Sequence, residues 1–123
     1  MIKFLTSCNV ADNTGATAVT IIGTYGGTKK KIIRLSDVVK VTVKAARPGG
    51  SVKKGELHRA VVVRVKKEHR REDGTYIRFD DNAVVLLDGT TNEPKGSRIF
   101  GPVARELKAH GFDKITYLAP ETL

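Results

Sequence analysis

The feature that most limits what this chain can fold into is a series of short β-branched runs with a period of two. Residues 37–44 are the clearest: Val39, Val41 and Val43 fall on one side, Lys40, Thr42 and Lys44 on the other. Such a segment forms a strand with one buried and one wet face, and each fully buried valine contributes roughly 1.5–3 kcal/mol. A slip of one residue would exchange the faces, so the register is expected to be firm. Related runs occupy 4–11, 17–23, 60–65, 76–79 and 83–87, separated by Asp, Asn and Gly turn chemistry. Five or so short strands without a long helical pattern predict a mainly all-β fold, a small barrel.

The faces follow from the alternation. Phe4, Thr6, Cys8 and Val10 share one side of the first run. Thr17, Val19 and Ile21 oppose Ala18, Thr20 and Ile22 in the second, where the pattern does not decide which side points inward. Val61, Val63 and Val65 are expected to face the core, with Val62, Arg64 and Lys66 on an increasingly cationic face. Ile77 and Phe79 oppose Tyr76 and Arg78 in the same way. Residues 83–87 are apolar on both faces, as in a strand covered on each side.

Beyond Asp88-Gly89 the chain changes character. A polar, turn-rich stretch, 90–96, precedes a brief extended piece, 97–100. Pro102 suits a first helical position, and Val103 and Leu107 lie four apart, so a helix is predicted over 103–109 with Gly111 as its stop. Residues 115–118 read as one more extended segment. A short helix laid over one mouth of the barrel would bury Val103, Leu107 and Phe112.

With 123 residues the chain is one domain by length, 1–88 forming the barrel with its basic loops and 89–123 an extension. Lys and Arg number 22 against 13 Asp and Glu, a net charge of +9, which draws polyanions at long range. Cys8 stands alone, which excludes an intrachain disulfide and points to a reducing compartment. The opening residues lack the form of a signal peptide, and no apolar stretch approaches the roughly 20 residues of a membrane span. A soluble intracellular protein is the expectation, with no membrane partner.

The cations are not spread evenly. Lys66, Lys67, Arg70 and Arg71 gather where the run at 60–65 ends, with Glu68 and Glu72 as the nearby acids. Arginine's planar fork suits bidentate phosphate contact, and lysine acts as a mobile point charge. The expectation is a clamp on an RNA backbone. Lys40, Lys44, Lys53 and Lys54 form a second group, where the wet face of a strand leads into a glycine-rich loop. Arg64 and Arg78 either join it or pair with Asp80 or Asp81. Gly26-Gly27 with Lys29, Lys30 and Lys31 reads either as a solvated hairpin tip or as a basic finger for phosphates.

Other chemistries fit poorly. Gly50 and Gly55 have the spacing of a phosphate-binding loop, but Glu56 and Leu57 stand where the lysine and hydroxyl belong, which excludes nucleotide hydrolysis. Asp73, Asp80 and Asp81 are better explained by turn capping and local ion pairs than by a metal. His58, His69 and His110 lie in different surroundings and form no catalytic arrangement, so no cofactor, small-molecule substrate or enzymatic activity is expected. Seven aromatic residues, none interleaved with the basic clusters, argue for recognition by shape and phosphate over base stacking.

Ala60-Val61-Val62-Val63, a nine-residue spacer, Asp73-Gly74, then Phe79, Asn82 and Val85-Leu86 form a recognisable pattern. So do residues 9–13, 52–55, 98–103 and 119–121. Over essentially its whole length the sequence resembles the universal large-subunit ribosomal protein fourteen family, in its bacterial or organellar form. The resemblance implies a closed five-stranded β-barrel with a C-terminal extension carrying short helices. It implies a structural protein of the large ribosomal subunit that binds 23S-type rRNA and helps bridge to small-subunit rRNA. It further implies the large-subunit proteins three and nineteen as neighbours, and a ribosome-silencing factor docking at Ser97, Arg98 and Lys114. The location would be the cytoplasmic ribosome, or an organellar matrix or stroma. Two rival readings are a free-standing basic β-barrel adaptor for acidic proteins and an RNA-modifying enzyme on a barrel scaffold.

Overall fold

The computed structural model describes residues 2–3, 5–25, 32–89 and 91–123. The period-two runs become strands β1 (Ser7–Val10), β2 (Ala16–Thr24), β3 (Val38–Ala46) and β4 (Leu57–Arg64). After a two-stranded hairpin, β5 (His69–Arg70) and β6 (Tyr76–Ile77), comes β7 (Ala83–Leu86). The C-terminal part holds β8 (Pro102–Val103), α1 (Glu106–Ala109), α2 (Asp113–Leu118) and β9 (Glu121–Thr122). Strands β1, β2, β3, β4 and β7 close into a five-stranded barrel, as expected. The closing pair, β1 with β7, is parallel, and all other neighbours are antiparallel. Closure leaves no open edge among these strands.

Inside the barrel lie Val39, Val41 and Val43 of β3, each no more than 1% exposed, as their alternation required. They meet Cys8, Val19, Ile21, Ala60, Val62, Val84 and Leu86. Burial, with the Asp81 charge adding to it, pushes the Cys8 thiol up to about 11, so it stays an uncharged core group. A second apolar layer lies outside the barrel wall. There Val61 and Val63 of β4 and Ala83, Val85 and Leu87 in and after β7 pack against Val103, Leu107, Phe112 and Ile115.

This second layer corrects several expectations. Over residues 60–63 β4 has no cationic face: Ala60 and Val62 fill the barrel while Val61 and Val63 are sealed by the extension. A register shift against β7 between Val62 and Arg64 then returns Val65 to the barrel side. The extension lies on the outer wall of β4 and β7, not over a mouth, because Val61, Val63, Ala83 and Val85 make that wall apolar and it must be covered. Pro102 opens no helix. It belongs to β8, which pairs in parallel with β9, and α1 begins only at Glu106. Residues 115–118 are helical, within α2, because Phe112 and Ile115 then lie on one side and reach the outer layer.

In β2, Thr17 points outward while Ala16, Val19 and Ile21 are buried. Register shifts between Ala16 and Val19 change the phase there. Residues 76–79 stand apart from the barrel sheet. Phe79 nevertheless roots their end in the inner core at 8% exposure, and Tyr76 and Arg78 face outward as expected. Gly111, at φ +90°, follows α1 as its stop. Phe4 and the basic segment 26–31 lie outside the described residues.

Candidate nucleic-acid interface

The basic hairpin is built by the end of β4. Past Val65 the chain leaves the barrel, and the Lys66 amide donates to Asn82 Oδ1 at 2.8 Å, which fixes the point of exit. His69 then pairs with Ile77 and Arg70 with Tyr76. The connecting turn is capped by Asp73, whose Oδ1 accepts from the Thr75 amide at 3.0 Å and the Thr75 hydroxyl at 2.6 Å. Gly74 takes the positive φ, +87°, that the turn needs. Those two hydrogen bonds hold the Asp73 carboxyl below its ordinary range, with Arg105, at 3.3 Å, adding to the effect.

Alternation along this hairpin separates two adjacent arginines. Arg70 is exposed and, among the described residues, its side chain makes no ion pair. Arg71 is turned back onto the extension, with its Nε 2.7 Å from Glu106 Oε1 and both side chains largely buried. That contact is a close ion pair without hydrogen-bond alignment, and Glu106 Oε2 accepts from no donor. Arg71 also donates to the Leu123 carbonyl. Lys66, Lys67 and Arg78 are exposed. Lys67 lies 3.3 Å from Glu68, a surface pair that contributes little and leaves the lysine available.

Arg64 is likewise committed. Its side chain is 11% exposed, and its Nε and Nη2 donate to Asp81 at 3.0 and 3.3 Å. Nη1 donates to the Phe100 and Pro102 carbonyls at 2.9 and 3.1 Å, tying the extension to the barrel. Burial pushes the Asp81 carboxyl up, but hydrogen bonds from Asn9 and Arg64 and the Arg64 charge together hold it below its ordinary value. Of the alternatives for Arg64, pairing with Asp81 is the one found.

The second basic group lies on β3 and in the loop that follows it. Lys40 and Lys44 project from the wet face of β3. The loop bearing Lys53 and Lys54 is folded back beside the end of β3, where the Gly55 amide donates to the Val43 carbonyl at 2.8 Å. Val52 plugs into the core at 1% exposure, so both lysines are presented from an anchored turn.

Two further cations, one beside each basic group, were not singled out by the sequence. Arg59 sits opposite Lys40 in the β3–β4 register, with its guanidinium 5.8 Å from the centre of the Tyr25 ring. Arg34 borders a cleft with Lys67 and Arg70. Strand pairing brings Arg59 to Lys40, whereas Arg34, outside any strand, meets Lys67 and Arg70 because the segment before β3 is hydrogen-bonded beside β4 at Ser36 and Asp37.

Ser97 and Arg98 are held together by Asn13, whose Oδ1 accepts from both amides at 3.0 and 3.3 Å. The Arg98 guanidinium lies 5.7 Å from the centre of the Phe100 ring. Lys114, on α2, approaches Glu93 at 3.8 Å. His58 pairs with Glu56 at 2.9 Å, while His69 and His110 border the same cleft beside α1, closer company than the sequence suggested. Among the described residues no group of His, Cys, Asp and Glu is arranged to hold a metal ion. The barrel is thus a closed frame from which Lys40, Lys44, Lys53, Lys54, Lys66, Lys67, Arg70 and Arg78 are exposed. Residues 1–123 match the family model described as ribosomal protein L14p/L23e, and the chain belongs to that family.

Proposed function

We propose that this chain is a structural constituent of the large ribosomal subunit that grips 23S-type rRNA by phosphate and shape. Family membership supports the ribosomal role, and this family is structural rather than enzymatic. The observation that carries the mode of binding is the division among the cations. Lys40, Lys44, Lys53, Lys54, Lys66, Lys67, Arg70 and Arg78 are exposed, whereas Arg64 and Arg71 are consumed in holding the extension to the barrel. The first eight are the phosphate-contacting set in this reading. Arg64 and Arg71 act as positioning residues.

The family likeness also supports finer assignments. The protein contributes to bridges with small-subunit rRNA, neighbours the large-subunit proteins three and nineteen, and receives a ribosome-silencing factor at Ser97, Arg98 and Lys114. It works in the ribosome, of the cytoplasm or of an organelle. Sedimentation tests the role: the chain should travel with large subunits through a moderate salt wash. Release from particles at low salt, with capture by acidic proteins instead, would favour the free-standing adaptor.

A further inference from the structure

We infer that the cleft between residues 32–35 and residues 65–70 receives a single unstacked RNA nucleotide. This rests on the RNA-binding reading above and gives it a specific contact. The cleft is about 310 Å³ in volume. That is near the lower end of small-ligand pockets, roughly 300–1,000 Å³. It is less than one turn of a protein helix, which is about 10–12 Å across with a pitch of about 5.4 Å. An RNA duplex cannot place a whole base in it, because its bases are stacked inside and it presents only phosphates, 2′-hydroxyls and base edges.

The lining suits one nucleotide. Ile32, 40% exposed, forms an apolar wall, and Leu35 and Val65 form the floor. Arg34, Lys67 and Arg70 stand on the rim, against the single acid Glu68, which Lys67 already approaches. A base can lie against the apolar wall while its flanking phosphates meet the arginines. Both sides of the cleft are built in advance. The Ile33 amide donates to Ile2 at 2.9 Å, the Arg34 amide to Asp37 Oδ2 at 2.7 Å and the Ser36 amide to Val62 at 2.9 Å. Across from them, Lys66 is pinned by Asn82.

Charge decides between this cleft and its neighbour beside α1, of about 460 Å³. There Arg71 faces Glu106 and Arg105 faces Asp73, so the charges are answered within the protein. The cleft at Ile32 keeps a cationic rim.

Fluorescence titrations of the purified chain test the inference, using an RNA stem, the same stem with one bulged nucleotide, the stem with an abasic bulge, and poly-glutamate. The bulged stem should bind about tenfold tighter than the perfect one, which is about 1.4 kcal/mol. The abasic bulge should lose that advantage. Ile32→Ser, at an exposed position, should abolish the preference and leave perfect-stem affinity unchanged. Equal binding of bulged and perfect stems, with steep salt dependence, overturns the nucleotide site and leaves the phosphate reading standing. Binding to poly-glutamate but to no RNA overturns both.

Discussion

Gly15 and Gly50 pass each other so closely that neither can carry a side chain. A Cβ on Gly15 would lie 2.9 Å from the Gly50 Cα, and one on Gly50 would lie 2.8 Å from the Gly15 Cα and 2.9 Å from the Thr14 carbonyl oxygen. This approach presses the turn between β1 and β2 against the loop that follows β3, and so sets where the basic loop at Lys53 and Lys54 begins. Gly50→Ala should destabilise the protein by about 1–3 kcal/mol, since backbone must move to admit the methyl group. Gly23→Ala provides the contrast: its nearest neighbour would be the Lys40 Cβ at 3.8 Å, an ordinary contact. That change should be neutral or slightly stabilising, because a glycine in a strand loses more entropy on folding. Denaturant unfolding of the two variants checks the difference.

Arg70 and Arg71 should separate binding from stability. Arg70→Glu removes an exposed charge, and on duplex RNA it should lower affinity and reduce the logarithmic salt slope by about 0.9 for the one phosphate it no longer neutralises. Its unfolding midpoint should barely move. Arg71→Ala leaves Glu106 buried without its partner and should destabilise by about 1–3 kcal/mol. The folded variant should keep its salt slope. Titration at several salt concentrations, paired with urea unfolding, checks both halves. Equal effects of the two substitutions on the salt slope would place Arg71 among the phosphate-binding cations.

The chain's alternation exposed the barrel where one strand face is wet and one dry, as in β3. It misled where both faces are covered: Val61 and Val62 are equally apolar, and nothing local says which of them faces a partner some 40 residues later, at Val103 and Leu107. Pro102 looked like a helix start because its true partner, Glu121, is distant in sequence. The β-branched Ile115 and Thr116 suggested extended chain, yet packing of Ile115 overrides that weak local preference. The cation cluster was visible as composition, but a run of like charges cannot reveal which arginine meets a carboxylate. Only the turn at Asp73-Gly74, by setting the hairpin register, sends Arg70 outward and Arg71 to Glu106.

Leu107 should be the residue on which the extension depends. Helices of four and six residues do not persist alone, so packing must hold α1 and α2. Leu107 is fully buried in the outer layer with Val61, Val63 and Ile115. Leu107→Ala should lower stability by about 2–5 kcal/mol. Hydrogen exchange should show the loss first in residues 103–123, with β3 retaining its protection. Uniform loss across barrel and extension would mean that the two unfold as one unit.

Acid should loosen the protein partly through Asp81. Its carboxyl is held below the ordinary 3.8 by Asn9 and Arg64 despite partial burial. A carboxyl depressed in the folded state binds its proton more weakly there than in the unfolded chain. Its stabilising contribution is therefore complete above about pH 4 and is lost as the pH falls through the folded value. Asp12 acts in the opposite sense: burial raises its carboxyl despite hydrogen bonds from Thr14 and the Leu86 amide, so protonation near its raised value favours the folded state. Asp81→Asn should therefore lower stability at neutral pH and flatten the decline below about pH 4. Urea unfolding followed from pH 7 to pH 3 reads both effects. An unchanged acid limb in that variant would show that Arg64 holds the extension through the Phe100 and Pro102 carbonyls alone.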